Sequence, residues 1–191
     1  CPLSLDPAGT SLVIGSTSTW EAGQVMTAAT LIDHGAGRNI VIGAPIGLQA
    51  TAAPTPFIWA DLNTTHKTLL STMPYTTTVV IDATMGEYRL NYLRGDRRKE
   101  IKPTTPTAPF RPRDIVLGDI VNSGLVYMGK PSGGVAGTAY NTFFNDNKNR
   151  KPVIFANAND GMLHAFYDTN GREAFAYIPG FVAGKLNLLP D

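Results

Sequence analysis

Arg94-Gly95-Asp96 sets a guanidinium and a carboxylate on either side of a glycine turn. Integrin-type receptors read that tripeptide when both side chains stand exposed at the tip of a loop. The same residues also suit a helix end, with Gly95 in the left-handed position past the last turn and Asp96 balancing nearby arginines. Immediately beyond lie Arg97, Arg98, Lys99 and Lys102, the centre of a stretch from Arg89 to Arg113 that carries 8 of the 16 basic residues. Clustered cations release counterions when they meet an anionic partner, so these four form a candidate anionic-partner patch. A solvated face, with ion pairs to Asp96, Glu100 and Asp114, is the competing reading. The patch lacks interleaved aromatic residues on which single-stranded bases would stack, which argues against nucleic acid.

Other chemistry-bearing residues are scattered. His34, His66 and His164 lack metal-ligand spacing, and the single Cys1 is far from all three in sequence. His164 falls inside a strand pattern and reads as a hydrogen-bonded sheet residue. Asp160 and Asp168 sit in turn sequences, where Asp is favoured because it bonds its own backbone. Asn145-Asp146-Asn147 and Asp168-Thr169-Asn170-Gly171 carry too few carboxylates for a calcium loop. Glycine-rich phosphate loops and nucleophile elbows do not occur. The residue pattern therefore implies neither a catalytic nor a cofactor-binding nor a metal-binding set.

The elements that would position these residues are mostly short strands. Ser11–Ile14, Gln24–Met26, Ala29–Ile32 and Asn39–Ile42 are strand-length runs separated by turn residues, which predicts an antiparallel meander. The prolines from Pro45 to Pro56 interrupt it. Asp61 is placed to cap a helix running through Leu62, Leu69, Leu70 and Met73. A second helix is predicted from about Met85 to Arg94, ended by Gly95. Pro103–Pro109, rich in Pro and Thr, reads as an extended, solvated loop. Ile115–Leu117, Ile120–Val121 and Leu125–Met128 read as strands, and Tyr140, Phe143 and Phe144 as a short helical insertion. Val153–Ala156, Met162–Tyr167 and Glu173–Ile178, joined by Asn159-Asp160-Gly161 and Asp168-Thr169-Asn170-Gly171, form a three-stranded antiparallel meander. A short helix is predicted around Phe181 to Leu189.

Composition supports a folded, turn-rich chain. The 19 Gly and 14 Pro make up about one in six of 191 residues, above ordinary usage of about 12%. Sixteen basic and 15 acidic residues give a net charge of +1, so attraction to an anionic partner would have to be local. Residues 1 to 60 carry one basic residue, Arg38, and three acids. One cysteine makes no internal disulfide. Cys1 reads as the site of a cut, with a lipidated N-terminus as the alternative. No apolar run approaches the length that spans a bilayer.

Several segments resemble the β-propeller of the PilC/PilY type IV pilus tip-associated proteins. They are Phe57–Leu62, Tyr92–Arg97, Phe110–Arg113, Leu117–Ser123, Asn159–Phe166 and Phe175–Pro179. Residues 1–56 match loosely, so the expected organisation is a β-rich N-terminal segment, 1–56, followed by the start of a propeller, 57–191. The resemblance implies a mainly β fold, a partial propeller with antiparallel meander blades and a few short helices. It implies a non-enzymatic biogenesis factor and adhesin, exported to the cell surface, pilus tip or outer membrane. Its partners would be pilins or minor pilins and a host-cell or surface receptor. Calcium would bind, if at all, elsewhere in the full-length protein. The alternative from another class is a fragment of a quinoprotein-like propeller dehydrogenase.

Overall fold

The computed structural model describes residues 3–5, 12–14, 20–28, 37–46 and 53–190. Cys1, His34 and the predicted strand Ala29–Ile32 lie outside them. A two-stranded sheet pairs β1 (Leu3–Leu5) with β2 (Leu12–Ile14). Six further strands are β3 (Ile40–Ile42), β4 (Thr55–Pro56), β5 (Val126–Met128), β6 (Val153–Asn157), β7 (Leu163–Tyr167) and β8 (Glu173–Ile178). They form one sheet in the order β4-β3-β8-β7-β6-β5. Among the described residues four helices accompany them: α1 (Ala22–Ala28), α2 (Thr64–Ser71), α3 (Ala83–Leu93) and α4 (Thr138–Asn147). A 3-10 segment, Gly180–Leu188, follows β8.

β5 to β8 are antiparallel neighbours in chain order, as the turn chemistry predicts. Gly161 and Gly171 take positive φ, 84° and 67°, and each turn is braced by its own side chain. Asp160 accepts from the Met162 amide at 3.1 Å and Asn170 from the Arg172 amide at 3.0 Å. The sheet as a whole is mixed, because β3 runs parallel to β8 where the sequence pattern predicts an antiparallel meander.

Three other expectations need correction. Gln24–Met26 is helical, because the Glu21 carboxylate accepts the amides of Gly23 and Gln24 at 2.9 and 2.6 Å and so caps α1. α2 is capped by Asn63, whose side chain accepts from the His66 amide at 2.9 Å; Asp61 lies in the preceding turn, its amide bonded to the Ile58 carbonyl. Ile115–Leu117 and Ile120–Val121 form no ladder. Val116 donates instead to Thr27 Oγ1, and Gly118 to Asp160. Residues 103–107 are exposed as expected but folded into turns, with Thr105 donating to the Lys102 carbonyl at 2.9 Å. α3 is close to its predicted span, with Asp82 as its cap and Gly95 at φ 107° past its end.

The main core lies between one sheet face and the helices. Ile40, Ile42, Ala176 and Ile178 pack with Leu70 of α2, Leu90 and Leu93 of α3, and Leu186 of the 3-10 segment. α2 and α3 approach closely at Gly86, where a Cβ would collide with Ser71. Arg89 crosses this contact, fully buried, and donates to the Leu70 carbonyl at 2.9 Å. It thereby satisfies a carbonyl that the last turn of α2 leaves unpaired. Met26, Val116 and Phe166 form a smaller second cluster.

Candidate functional site

The C-terminal end of α3 determines where Arg94, Gly95 and Asp96 point. Arg94 is 1% exposed and Asp96 5%. Arg94 donates to the Phe57 carbonyl at 2.9 Å and to the Arg38 carbonyl at 3.0 Å, tying the end of α3 to the residue after β4 and to the segment leading into β3. Burial and the neighbouring Arg38 push its pKa down to about 10, with Glu173 opposing. Asp96 accepts from the Arg98 amide at 2.8 Å and pairs with its guanidinium at 2.7 Å. The exposed tripeptide that an integrin-type receptor requires is therefore not presented. The helix-end alternative describes the geometry, with Gly95 supplying the reversal.

The anionic-partner residues are partly committed to ion pairs. Arg97, with its side chain 38% exposed, pairs with Glu100 at 3.1 Å, and Glu100 also holds Arg113 at 2.8 Å. Arg98 is exposed but paired with Asp96. Lys99 lies 4.4 Å from the Tyr88 ring centroid, and Lys102 is exposed at the neck of the Pro/Thr loop. Together they form a solvated face with two internal carboxylates.

A different cluster, invisible as a motif, holds the buried charge. Arg38 meets Glu173 through two bonds, Nε to Oε2 at 2.6 Å and Nη2 to Oε1 at 2.8 Å. His164 Nδ1 lies 2.7 Å from Glu173 Oε1, and its Nε2 lies 3.1 Å from both Asp160 oxygens. A bulge in β8 makes this arrangement possible. Ala165 pairs with Phe175 but Phe166 pairs with Glu173, so Ala174 is the extra residue and Glu173 turns onto the His164 face. Burial alone would lower the His164 pKa, but the hydrogen bonds and charges of Asp160 and Glu173 outweigh it and hold the imidazole at about 9. Burial alone would raise that of Glu173, but Arg38 and His164 bring it to about 2.

An imidazolium with a carboxylate on each nitrogen has no lone pair to offer a substrate. The cluster fixes structure: it joins Arg38, two residues before β3, the α3 end through the Leu93 carbonyl, the β8 bulge and the β6–β7 turn. His66 stands apart, buried, with Nε2 3.1 Å from the Gly43 carbonyl; burial lowers its pKa while that bond opposes. Among the described residues no group of three or more His, Cys, Asp or Glu side chains is placed to hold a metal.

The cluster predicts a defined pH dependence. The folded pKa of His164 lies above its ordinary 6.5, so its stabilisation is complete below that value and is lost as pH rises through about 9. Glu173, lowered from 4.5, contributes fully above that value and its contribution is lost as pH falls toward 2. Urea unfolding midpoints at intervals across this range are expected to show both declines, and His164→Gln is expected to abolish the alkaline one. A wild-type midpoint constant from pH 6.5 to 9.5 would contradict this assignment.

Two of the segments that carry the family resemblance meet at this cluster. Gly118 donates to Asp160 Oδ2 at 3.2 Å, and Asn159 donates to the Asp119 carbonyl at 2.9 Å. A Cβ at Gly118 would come within 2.5 Å of the Asp160 amide, so the close approach needs glycine. Beside them opens a cleft of about 410 Å³, lined by residues including Arg111, Ile115, Asp119, Asn159 and Leu189.

Residues 117–187 match the family described as the PilY1 beta-propeller domain, a class consistent with the antiparallel meander β5–β8. The chain is 36% identical over 185 residues to the type IV pilus biogenesis factor PilY1 of Pseudomonas aeruginosa PAO1, a match covering 91% of this chain and 14% of that protein. It is 40% identical over 111 residues to a PilY1 homolog of Xylella fastidiosa, covering 54% of this chain and 9% of that one. The chain belongs to the PilC/PilY family. It spans about 14% of the length of its Pseudomonas relatives. No solved structure matches it.

Proposed function

We propose that this chain is part of a non-enzymatic type IV pilus biogenesis factor that acts at the cell surface and in attachment. The similarity to pilus biogenesis factors along 91% of the chain carries the reading. The geometry is compatible with it: a charge-locked sheet and helix framework holds its connections in place, and such frameworks present loops for contact. The exposed candidates are the Pro/Thr loop at 103–109 and the α2–α3 loop, where Tyr75 is 86% and Val79 80% exposed. Their partners would be pilins, minor pilins or a surface receptor. The quinoprotein-like alternative has no observation in its favour.

Deletion of the gene for the full-length protein is expected to reduce surface pili and attachment, with both restored by a wild-type copy. Pili counted by electron microscopy and bound cells counted after washing provide the measurement. Normal piliation in the deletion strain would overturn the reading.

A further inference from the structure

The connection from β5 to β6, residues 129–152, carries the least supported helix of the fold. α4 has no buried residue, so the core of the chain does not hold it. Local chemistry holds it poorly too. Its N-cap is Gly137 at φ 123°, which offers no side-chain acceptor, and six of its ten residues are Thr, Asn or Asp, all weak helix formers. A helix this short is marginal in water and is ordinarily stabilised by packing an apolar face on a partner. Such a face is present. Tyr140, Phe143 and Phe144, spaced i, i+3 and i+4, share one side. Phe143 is 42% exposed and the other two are half-buried.

The surrounding charge defines the chemistry of the partner. Lys130, Lys148, Arg150 and Lys151 against Asp146 give residues 129–152 a net charge of +3, where the whole chain carries +1. Arg150 is held beside the rings: its Nε donates to the Gly129 carbonyl at 2.6 Å, and its guanidinium lies 6.0 Å from the Phe143 centroid. Tyr140 donates to the Ser132 carbonyl at 2.7 Å, tying α4 back to the glycine-rich arm before it. Aromatic rings beside lysine and arginine match the boundary of an anionic bilayer, where rings enter the headgroup layer and cations meet lipid phosphates. A protein groove is a poorer fit, because grooves take anchors over two turns, at i, i+3 or i+4, and i+7. α4 offers one turn, and position 147 is Asn. Single-stranded nucleic acid also fits poorly. Tyr140 and Phe143 lean on one another, with centroids 5.7 Å apart at 49°, and present no pair of open faces to successive bases.

We propose that α4 and its cationic flanks form a docking surface for an anionic phospholipid bilayer, with the three rings at headgroup depth. The assignment is independent of the pilus role. It is tested by sedimenting the full-length protein with vesicles of phosphatidylcholine alone, or of phosphatidylcholine and phosphatidylglycerol in equal parts. Wild type is expected to sediment with the mixed vesicles and to be released by high salt, which screens the attraction. Phe143→Ser with Phe144→Ser, and separately Lys130→Glu with Lys148→Glu, are each expected to weaken that binding at least about ten-fold. The melting midpoint of each variant checks its fold. If the serine variant does not fold, the reversal of charge at Lys130 and Lys148, both exposed, decides the matter. Equal binding to the two kinds of vesicle would overturn the proposal, as would folded variants that bind like wild type. Absence of binding by wild type would overturn it too, since another part of the protein would then cover the rings. Tighter capture of an oligothymidylate, lost in the same variants, would assign the surface to nucleic acid instead.

Discussion

Glu173→Ala is expected to lower the unfolding free energy by about 3–5 kcal/mol, the cost of breaking a buried ion pair from one side. The loss exceeds that of an ordinary carboxylate because two cations depend on this one. The Arg38 side chain is 3% exposed and His164 is fully buried, so neither regains water when Glu173 is removed. Urea unfolding followed by circular dichroism at pH 7 measures the effect, and a change below about 1 kcal/mol would show that water already reaches the cluster. Glu173→Gln keeps the shape and one acceptor but removes the charge, so it should fall between alanine and wild type. Replacing Arg38, His164 and Glu173 together by apolar residues of similar volume is expected to recover much of the loss, because the desolvation cost disappears with the charges. Arg98→Ala is the contrasting case. Its partner Asp96 is buried, but the Arg98 side chain is 62% exposed, and the change is expected to cost about 1 kcal/mol or less.

The same cluster shows where the sequence was legible and where it was not. The β6–β7 and β7–β8 turns are local chemistry: Asp160 and Asn170 bond amides two residues on, and Gly161 and Gly171 supply positive φ. Such features are readable from adjacent residues. So is the end of α3, where Gly95 follows the last turn. Arg38, however, lies 135 residues from Glu173, and nothing local in either marks a partner. The bulge at Ala174 adds a second difficulty, because simple alternation would assign Glu173 to the wrong face. Arg94 and Asp96 illustrate the limit from the other direction. Their spacing spells a recognition tripeptide, yet the carbonyls of Phe57 and Arg38, distant in sequence, draw Arg94 inward. The misplaced cap at Asp61 and the missed helix α1 arise differently. Two candidate cap residues stand within three positions of one another, and Glu21 outweighs the strand pattern of Gln24–Met26 by accepting two amides that a helix start leaves free.

Phe110→Ala is expected to have an effect of similar size for a different reason. Phe110 is fully buried and sits edge-on to Tyr92, with ring centroids 5.2 Å apart at 62°. The Arg113 guanidinium lies 3.5 Å from the Tyr92 centroid, and Glu100 holds that guanidinium in place at 2.8 Å. Phe110 therefore forms the floor of a stack that joins α3 to the segment leading into the β-meander. Removing its ring leaves a cavity that the charge-locked layer above has little freedom to fill, so the cost should lie at the full transfer-plus-cavity level of about 3–5 kcal/mol. Phe110→Leu retains most of the volume and is expected to cost about 1.5 kcal/mol or less. The two mechanisms separate by pH. Between pH 6.5 and 9.5 the Phe110→Ala deficit should stay constant relative to wild type, because no titrating group is removed. The Glu173→Ala deficit should instead shrink toward the alkaline end, where the raised pKa of His164 no longer contributes. Parallel urea titrations of both variants against wild type provide that comparison, and two deficits with the same pH profile would refute the separate roles given to the aromatic stack and the buried charges.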